Sequence, residues 1–240
     1  MTQHPGPDSR PDSQPDDGER TMRRVVPQRT TSWARRAAVT LQRVGLTPNM
    51  ISVASVVVAA VGCVALVLAG IHDGGVTRVL LLLTAAVCAP LRLLANMLDG
   101  MLAVEGGMSS PVGDLYNELP DRLSDILFLA GAGYALAELP GGVALGWIAA
   151  TLAVLTAYVR SLGAAQGLSN HFEGPMSKPR RMWLLGLGCL VGTVETVLPG
   201  QLPWGLGLMV ALALIALGSL VTVLIRLRII ARELNARAAR

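Results

Sequence analysis

Carboxylates and amides lie inside and beside apolar helical stretches in one part of this chain. The run Asn96-Met97-Leu98-Asp99-Gly100-Met101-Leu102-Ala103-Val104 is followed, after eight residues, by Gly113-Asp114-Leu115-Tyr116-Asn117-Glu118-Leu119-Pro120-Asp121. Six of the 16 acidic residues (Asp99, Glu105, Asp114, Glu118, Asp121 and Asp125) fall between positions 99 and 125. An ionisable group at membrane depth costs at least ~2.5 kcal/mol, so it persists mainly where it lines a cavity, binds an ion or does chemistry. Arg92, Asn96, Asp99 and Ala103 recur at steps of four, three and four, which places them on one helical face. Gly113, Asn117, Asp121 and Asp125 recur every four residues on the next helix. A short connection predicts that these helices are antiparallel neighbours whose oxygen-bearing faces converge at the cytoplasmic edge of the bilayer. Hard oxygen ligands of this kind suit Mg²⁺ or Mn²⁺ rather than zinc. Gly100 and Gly113 leave room beside them for a nucleotide or diphosphate.

The elements that must position these residues follow from composition. The chain has 240 residues, is 52% hydrophobic and only 15% charged, and its mean hydropathy is +0.53, more apolar than a soluble core of this size requires. It reads as an all-α polytopic membrane protein. Apolar runs near Met50–Gly70, Val76–Ala95, Leu123–Leu139, Gly142–Leu162, Met182–Leu198 and Trp204–Ile225 predict about six transmembrane helices. Basic residues cluster before the first run, around Arg160 to Arg181, and after the last run. The first, third and fifth connections contain no Lys or Arg. Both termini and the acidic segment are therefore expected on the cytoplasmic side of the cell (inner) membrane.

Residues 1–30 are rich in Pro, Asp, Ser, Gln and Arg and predict a disordered cytoplasmic tail. Residues 31–49 predict an interfacial amphipathic helix, with Trp33, Ala37, Leu41 and Val44 on one face, and a turn at Thr47-Pro48-Asn49. A membrane domain spans 50–230, and 231–240 form a basic tail. Ser110 and Pro111 are the expected N-cap and first residue of the helix that leads into the third span, and Pro90 is an expected kink. Although the sequence pI is about 9.4, the basic groups flank apolar spans without interleaved aromatics, so anionic lipid headgroups are the expected partner and nucleic acid is not. Cys63, Cys88 and Cys189 read as small core residues, and His4, His72 and His171 as solvated loop residues.

The two runs together resemble the signature of the CDP-alcohol phosphatidyltransferases, D-x2-D-G-x2-A-R-x8-G-x3-D-x3-D. The spacing matches throughout. Asp99, Gly100, Ala103, Gly113 and Asp121 occupy five of the eight fixed positions, while Asn96, Val104 and Asn117 depart from them. The resemblance extends from about Gln42 to Arg228. It implies a metal-dependent transfer of a phosphatidyl or related phosphoalcohol group from a CDP-linked lipid donor such as CDP-diacylglycerol to an acceptor alcohol, releasing CMP, by a homodimeric enzyme of phospholipid biosynthesis. It also implies that Asn96, Asp99, Asn117 and Asp121 surround Mg²⁺ or Mn²⁺, that Asp121 is the general base, and that Gly100, Ala103 and Gly113 line the nucleotide pocket.

The departures change the expected charge. Replacing two of four carboxylates by amides removes two negative charges, so a second divalent ion should bind less tightly, and one metal or a rearranged pair becomes possible. Glu105, Asp114, Glu118 and Asp125 are candidates to compensate. Val104 removes a phosphate-binding cation for which Arg92 or Arg122 can substitute. Arg160, Lys178, Arg180 and Arg181 are candidates to hold a donor phosphate or phosphorylated acceptor, although orientation in the membrane alone also explains them. Two other readings remain: an intramembrane prenyltransferase, which would release diphosphate instead of CMP, and a catalytically degenerate lipid-binding or assembly protein.

Overall fold

The computed structural model describes Thr40 and residues 45–105, 113–198, 200 and 203–239. The expected tail at 1–30, nearly all of the expected interfacial helix, and the Ser110 cap lie outside these. The described residues form six helices: α1 (Pro48–Ile71), α2 (Gly75–Glu105), α3 (Gly113–Ala135), α4 (Gly142–Ala165), α5 (Lys178–Val197) and α6 (Leu206–Ala238). They contain no strand. Each helix overlaps one of the six apolar runs. Four of them, α1, α2, α4 and α6, are long and apolar enough to cross a membrane by length and composition. The other two, α3 and α5, are more heavily charged, with Asp121, Arg122 and Asp125 on α3 and Lys178, Arg180 and Arg181 on α5.

Local chemistry sets the helix ends. Thr47 is extended and its hydroxyl accepts from the Met50 amide at 3.3 Å, while Pro48 takes the first helical position, where its missing N–H costs nothing. Between α1 and α2 the chain reverses through Gly74 and Gly75, at φ of 121° and 70°, a region that L side chains rarely adopt. Pro90 lies within the continuous α2, and Pro120 within α3. α6 has 33 residues and is about 50 Å long. It exceeds a ~30 Å hydrocarbon layer, so most of the expected tail at 231–240 is instead its last turns.

The bundle forms a ring in which α2 packs on α1, α1 on α3, α3 on α4, α4 on α6, α6 on α5, and α5 back on α2. α1 therefore lies between the two helices that carry the signature. α2 and α3 touch only slightly, which corrects the expectation that they are packed neighbours. The reason lies in α1, whose buried face is Ser52, Ser55, Ala59, Gly62 and Leu66, mostly small groups that let two helices approach it at once. Its other face exposes Val53, Val57, Val61, Val64 and Leu68 in an apolar stripe. Small residues also close the α3–α4 crossing, where a Cβ built on Gly146 would stand 2.5 Å from Gly133 Cα. Phe128, Leu82, Leu129 and Leu136 fill the centre of the ring. At the end opposite the acidic site, Arg78 donates to Ala69 O at 3.0 Å and stacks over Trp204, and Glu195 accepts from the amides of Gly205 and Gly207 ahead of and within α6. Cys88 and Cys189 are buried and Cys63 half-buried, as small core residues should be.

Candidate functional site

Polar and charged side chains from all six helices meet at one end of the ring. Asp99, on α2, is 4% exposed. Its Oδ2 accepts a 2.6 Å hydrogen bond from Ser52 on α1, and its Oδ1 is buried with no hydrogen-bond partner. Asp121, on α3, is also buried and is surrounded by cations: Arg92 of α2 and Lys178 of α5 both reach its Oδ1, and Arg122 Nη2 lies 3.7 Å from its Oδ2. The Arg92–Asp121 pair is thus where the two signature helices meet. Arg92 lies two helical turns before Asp99 on the same face of α2, so its pairing with Asp121 brings the two carboxylates to the same end of the ring.

Deeper in the ring, Arg181 of α5 donates to Asp125 at 2.8 Å and to the Thr156 hydroxyl at 3.4 Å. Arg226 of α6 is buried and is held by two backbone carbonyls, those of Thr156 at 2.5 Å and Glu173 at 3.0 Å. Among the described residues no carboxylate lies within ion-pair distance of it. At the rim, Glu118 joins Arg122 at 3.1 Å and Arg160 at 2.5 Å, and Arg160 in turn donates to Asn170. Among the buried donors with no hydrogen-bond partner are Arg92 Nε, Arg92 Nη1 and Arg181 Nε.

The structure brings Arg92, Asp99, Asp121, Arg122, Arg160, Lys178 and Arg181 together. Arg180 does not join them. It is exposed and donates to the Pro175 carbonyl, because one step along α5 turns it away from Arg181. Asn96, Gly100, Ala103 and Gly113 are half-buried on the same helices, and Asn117 is exposed, whereas Asp99 and Asp121 are buried. Among the described residues no three His, Cys, Asp or Glu side chains are grouped to hold a metal. The side chains of Glu105 and Asp114 lie outside the described residues.

Sequence reasoning missed three contributors. Ser52 was signalled by the polar pair Ser52 and Ser55 on an otherwise apolar helix. Thr156 and Arg226 had weaker signals, one a lone hydroxyl and the other counted with the basic flank of the last span. His171 is a correction: it is buried, not solvated, with Nε2 3.2 Å from Glu233 and Nδ1 3.4 Å from Glu173, because α6 continues far enough to cover the α4–α5 connection.

The unpartnered Asp99 oxygen is a hard ligand of the kind a divalent cation takes, and the buried N–H donors of Arg92 and Arg181 at the same end of the ring suit phosphate oxygens. The residues present therefore fit a metal and a diphosphate. No protein-family model matches the chain. The phosphatidylinositol phosphate synthase of Mycolicibacterium smegmatis is 30% identical to it over 189 residues, 77% of each protein. Two crystal structures of the phosphatidylinositol phosphate synthase of Mycobacterium tuberculosis, one in complex with manganese and citrate and one with CDP-DAG bound, superpose with a TM-score of 0.66 at 25% identity. They cover 82% of this chain and 88% and 92% of the respective structures. The signature spacing, the six-helix ring and this relative agree: the chain belongs to the CDP-alcohol phosphatidyltransferase family, membrane enzymes of phospholipid biosynthesis that use a divalent cation to transfer a phosphatidyl or related group from a CDP-linked donor to an alcohol.

Proposed function

We propose that phosphatidyl transfer takes place between Asp99 and Asp121, and that the acceptor is a phosphorylated alcohol. One observation carries the reading: an acceptor, Asp99 Oδ1, and donors on Arg92 and Arg181 are buried at the same end of the ring without protein partners. Buried polar atoms left this way cost free energy unless something pairs with them, and here the two kinds match a cation and a phosphate. Asp99 would hold a divalent cation, which when bound would supply neutralisation of the donor diphosphate and of the leaving CMP. Asn96, one helical turn before Asp99 on α2, offers a neutral oxygen on the same face, and Gly100, Ala103 and Gly113 leave space for the nucleotide. Phosphate oxygens compete with Asp121 for Arg92 and Lys178, which frees Asp121 to accept the proton of the attacking hydroxyl.

A phosphorylated acceptor is supported by Arg226, whose charge no carboxylate within ion-pair distance balances among the described residues, and by Arg160 and Arg181 at the same end of the ring. The mycobacterial relative's name points to a phosphorylated inositol as the class to try first. We place the site on the cytoplasmic side of the cell membrane, with both termini there, on the strength of the basic α4–α5 connection and α6 end. The family resemblance supports a homodimer.

The test incubates the purified protein in lipid with CDP-diacylglycerol, Mg²⁺ or Mn²⁺, and a panel of free and phosphorylated alcohols. CMP and a new phospholipid should appear together, fastest with a phosphorylated acceptor. CMP without new lipid, or release of diphosphate instead, would sink the reading.

A further inference from the structure

The signature loses two carboxylates at Asn96 and Asn117, and the structure seats cations on one of the two that remain. Asp121 Oδ1 receives both Arg92 and Lys178, with Arg122 on its other oxygen. Lys178 is the first residue of α5, and its side chain is 15% exposed. Asp99, by contrast, is approached by no basic side chain within 4 Å among the described residues. One of its oxygens is on Ser52, and the other is buried and unpartnered. A pair of divalent ions would bring four positive charges to two carboxylates, one of them already neutralised from within the protein. Placing a second divalent ion beside a buried ammonium and guanidinium is electrostatically unfavourable, since like charges repel strongly where water cannot screen them.

We propose that this centre binds one divalent cation, at Asp99, and that the Lys178 ammonium, seated with Arg92 on Asp121, supplies the positive charge a second ion would otherwise bring to the diphosphate. Lys178 is then a charge-positioning residue whose removal favours metal. The proposal rests on the phosphatidyl-transfer reading above.

The test titrates Mn²⁺ alone onto the full-length protein in lipid nanodiscs and counts bound ions by electron paramagnetic resonance. One Mn²⁺ per chain with the spectrum of an isolated ion is expected, and none in Asp99→Asn. Lys178→Met should tighten Mn²⁺ binding by roughly tenfold or more, because a buried positive charge leaves the site. Adding Asn96→Asp and Asn117→Asp to it should bring in a second ion, seen as spin–spin broadening. A lysine that merely supports the fold would give the opposite sign, weaker binding on its removal. Two ions in the unaltered protein, no ion at all, or a Lys178→Met protein whose affinity is unchanged or weaker overturns the proposal. If Lys178→Met does not fold, the count on the unaltered protein decides. CMP release on the same preparation separates the two ideas: release with two ions bound rejects the single-ion centre alone, whereas one bound ion without release on any acceptor rejects the transfer reading alone.

Discussion

Arg181 on α5 and Asp125 on α3 are joined by a 2.8 Å hydrogen bond, and neither side chain is more than 2% exposed. Asp125 lies one helical turn beyond Asp121 and matches no position of the family signature, so its role is to hold a buried guanidinium in place. Removing one partner of such a pair costs about 3–5 kcal/mol, because the other charge is left uncompensated. Asp125→Asn should therefore lower thermal stability in nanodiscs by a large margin. Unchanged melting would mean that Arg181 finds its charge balance elsewhere.

Asp121→Asn also uncovers buried Arg92 and Lys178 and so should cost stability too, but its distinguishing effect is on rate. The substitution keeps size and an oxygen ligand but removes the proton acceptor, a contribution typically worth ~10²–10⁴ in rate. Steady-state CMP release should fall by that order while donor binding, measured with a non-transferring acceptor, persists in weakened form. Near-normal turnover would show that another group takes the proton.

Arg226 separates acceptor types. Its guanidinium is held only by backbone carbonyls among the described residues and is available to a phosphate, a charged hydrogen bond worth about 1.5–3 kcal/mol. Arg226→Gln should raise KM for a phosphorylated acceptor about 10- to 100-fold and leave turnover with a free alcohol nearly unchanged. Equal loss with both acceptors points to a packing defect.

Topology is checked by labelling. In a background without Cys63, Cys88 and Cys189, cysteines introduced at His72, after α1, and at exposed Ser169, after α4, should react with impermeant reagents from opposite sides of the membrane. Labelling from the same side rules out an arrangement in which three crossings separate them.

The sequence made the helices legible because each apolar run is long and bounded by turn-forming residues such as Thr47-Pro48 and Gly74-Gly75. It also singled out Asp99 and Asp121, since charges in apolar helices are costly and their spacing matched a signature, and both are buried in the structure. What it could not supply was the order of the ring. Periodicity says which face of a helix is buried but not against what, so α1 between α2 and α3 was invisible, and with it the Ser52–Asp99 bond. The same limit explains Arg180 and His171. A basic run does not reveal which of its members turns inward, and a loop histidine looks solvated until a helix some 60 residues later covers it.

The ring also bears on how the protein is made. Arg92 meets Asp121 across two helices that are not packed neighbours, while Asp125 meets Arg181 only when α5 arrives. Charges that are costly in lipid when alone thus become acceptable in sequence: α2 needs α3, and α3 needs α5, which α6 then braces through Arg226 and the α4–α5 connection. A chain stalled before α5 would hold Asp125 without Arg181 or Lys178 nearby. Such a fragment would carry a recognisable mark of incompleteness for membrane quality control, and the transfer chemistry could begin only once assembly had finished.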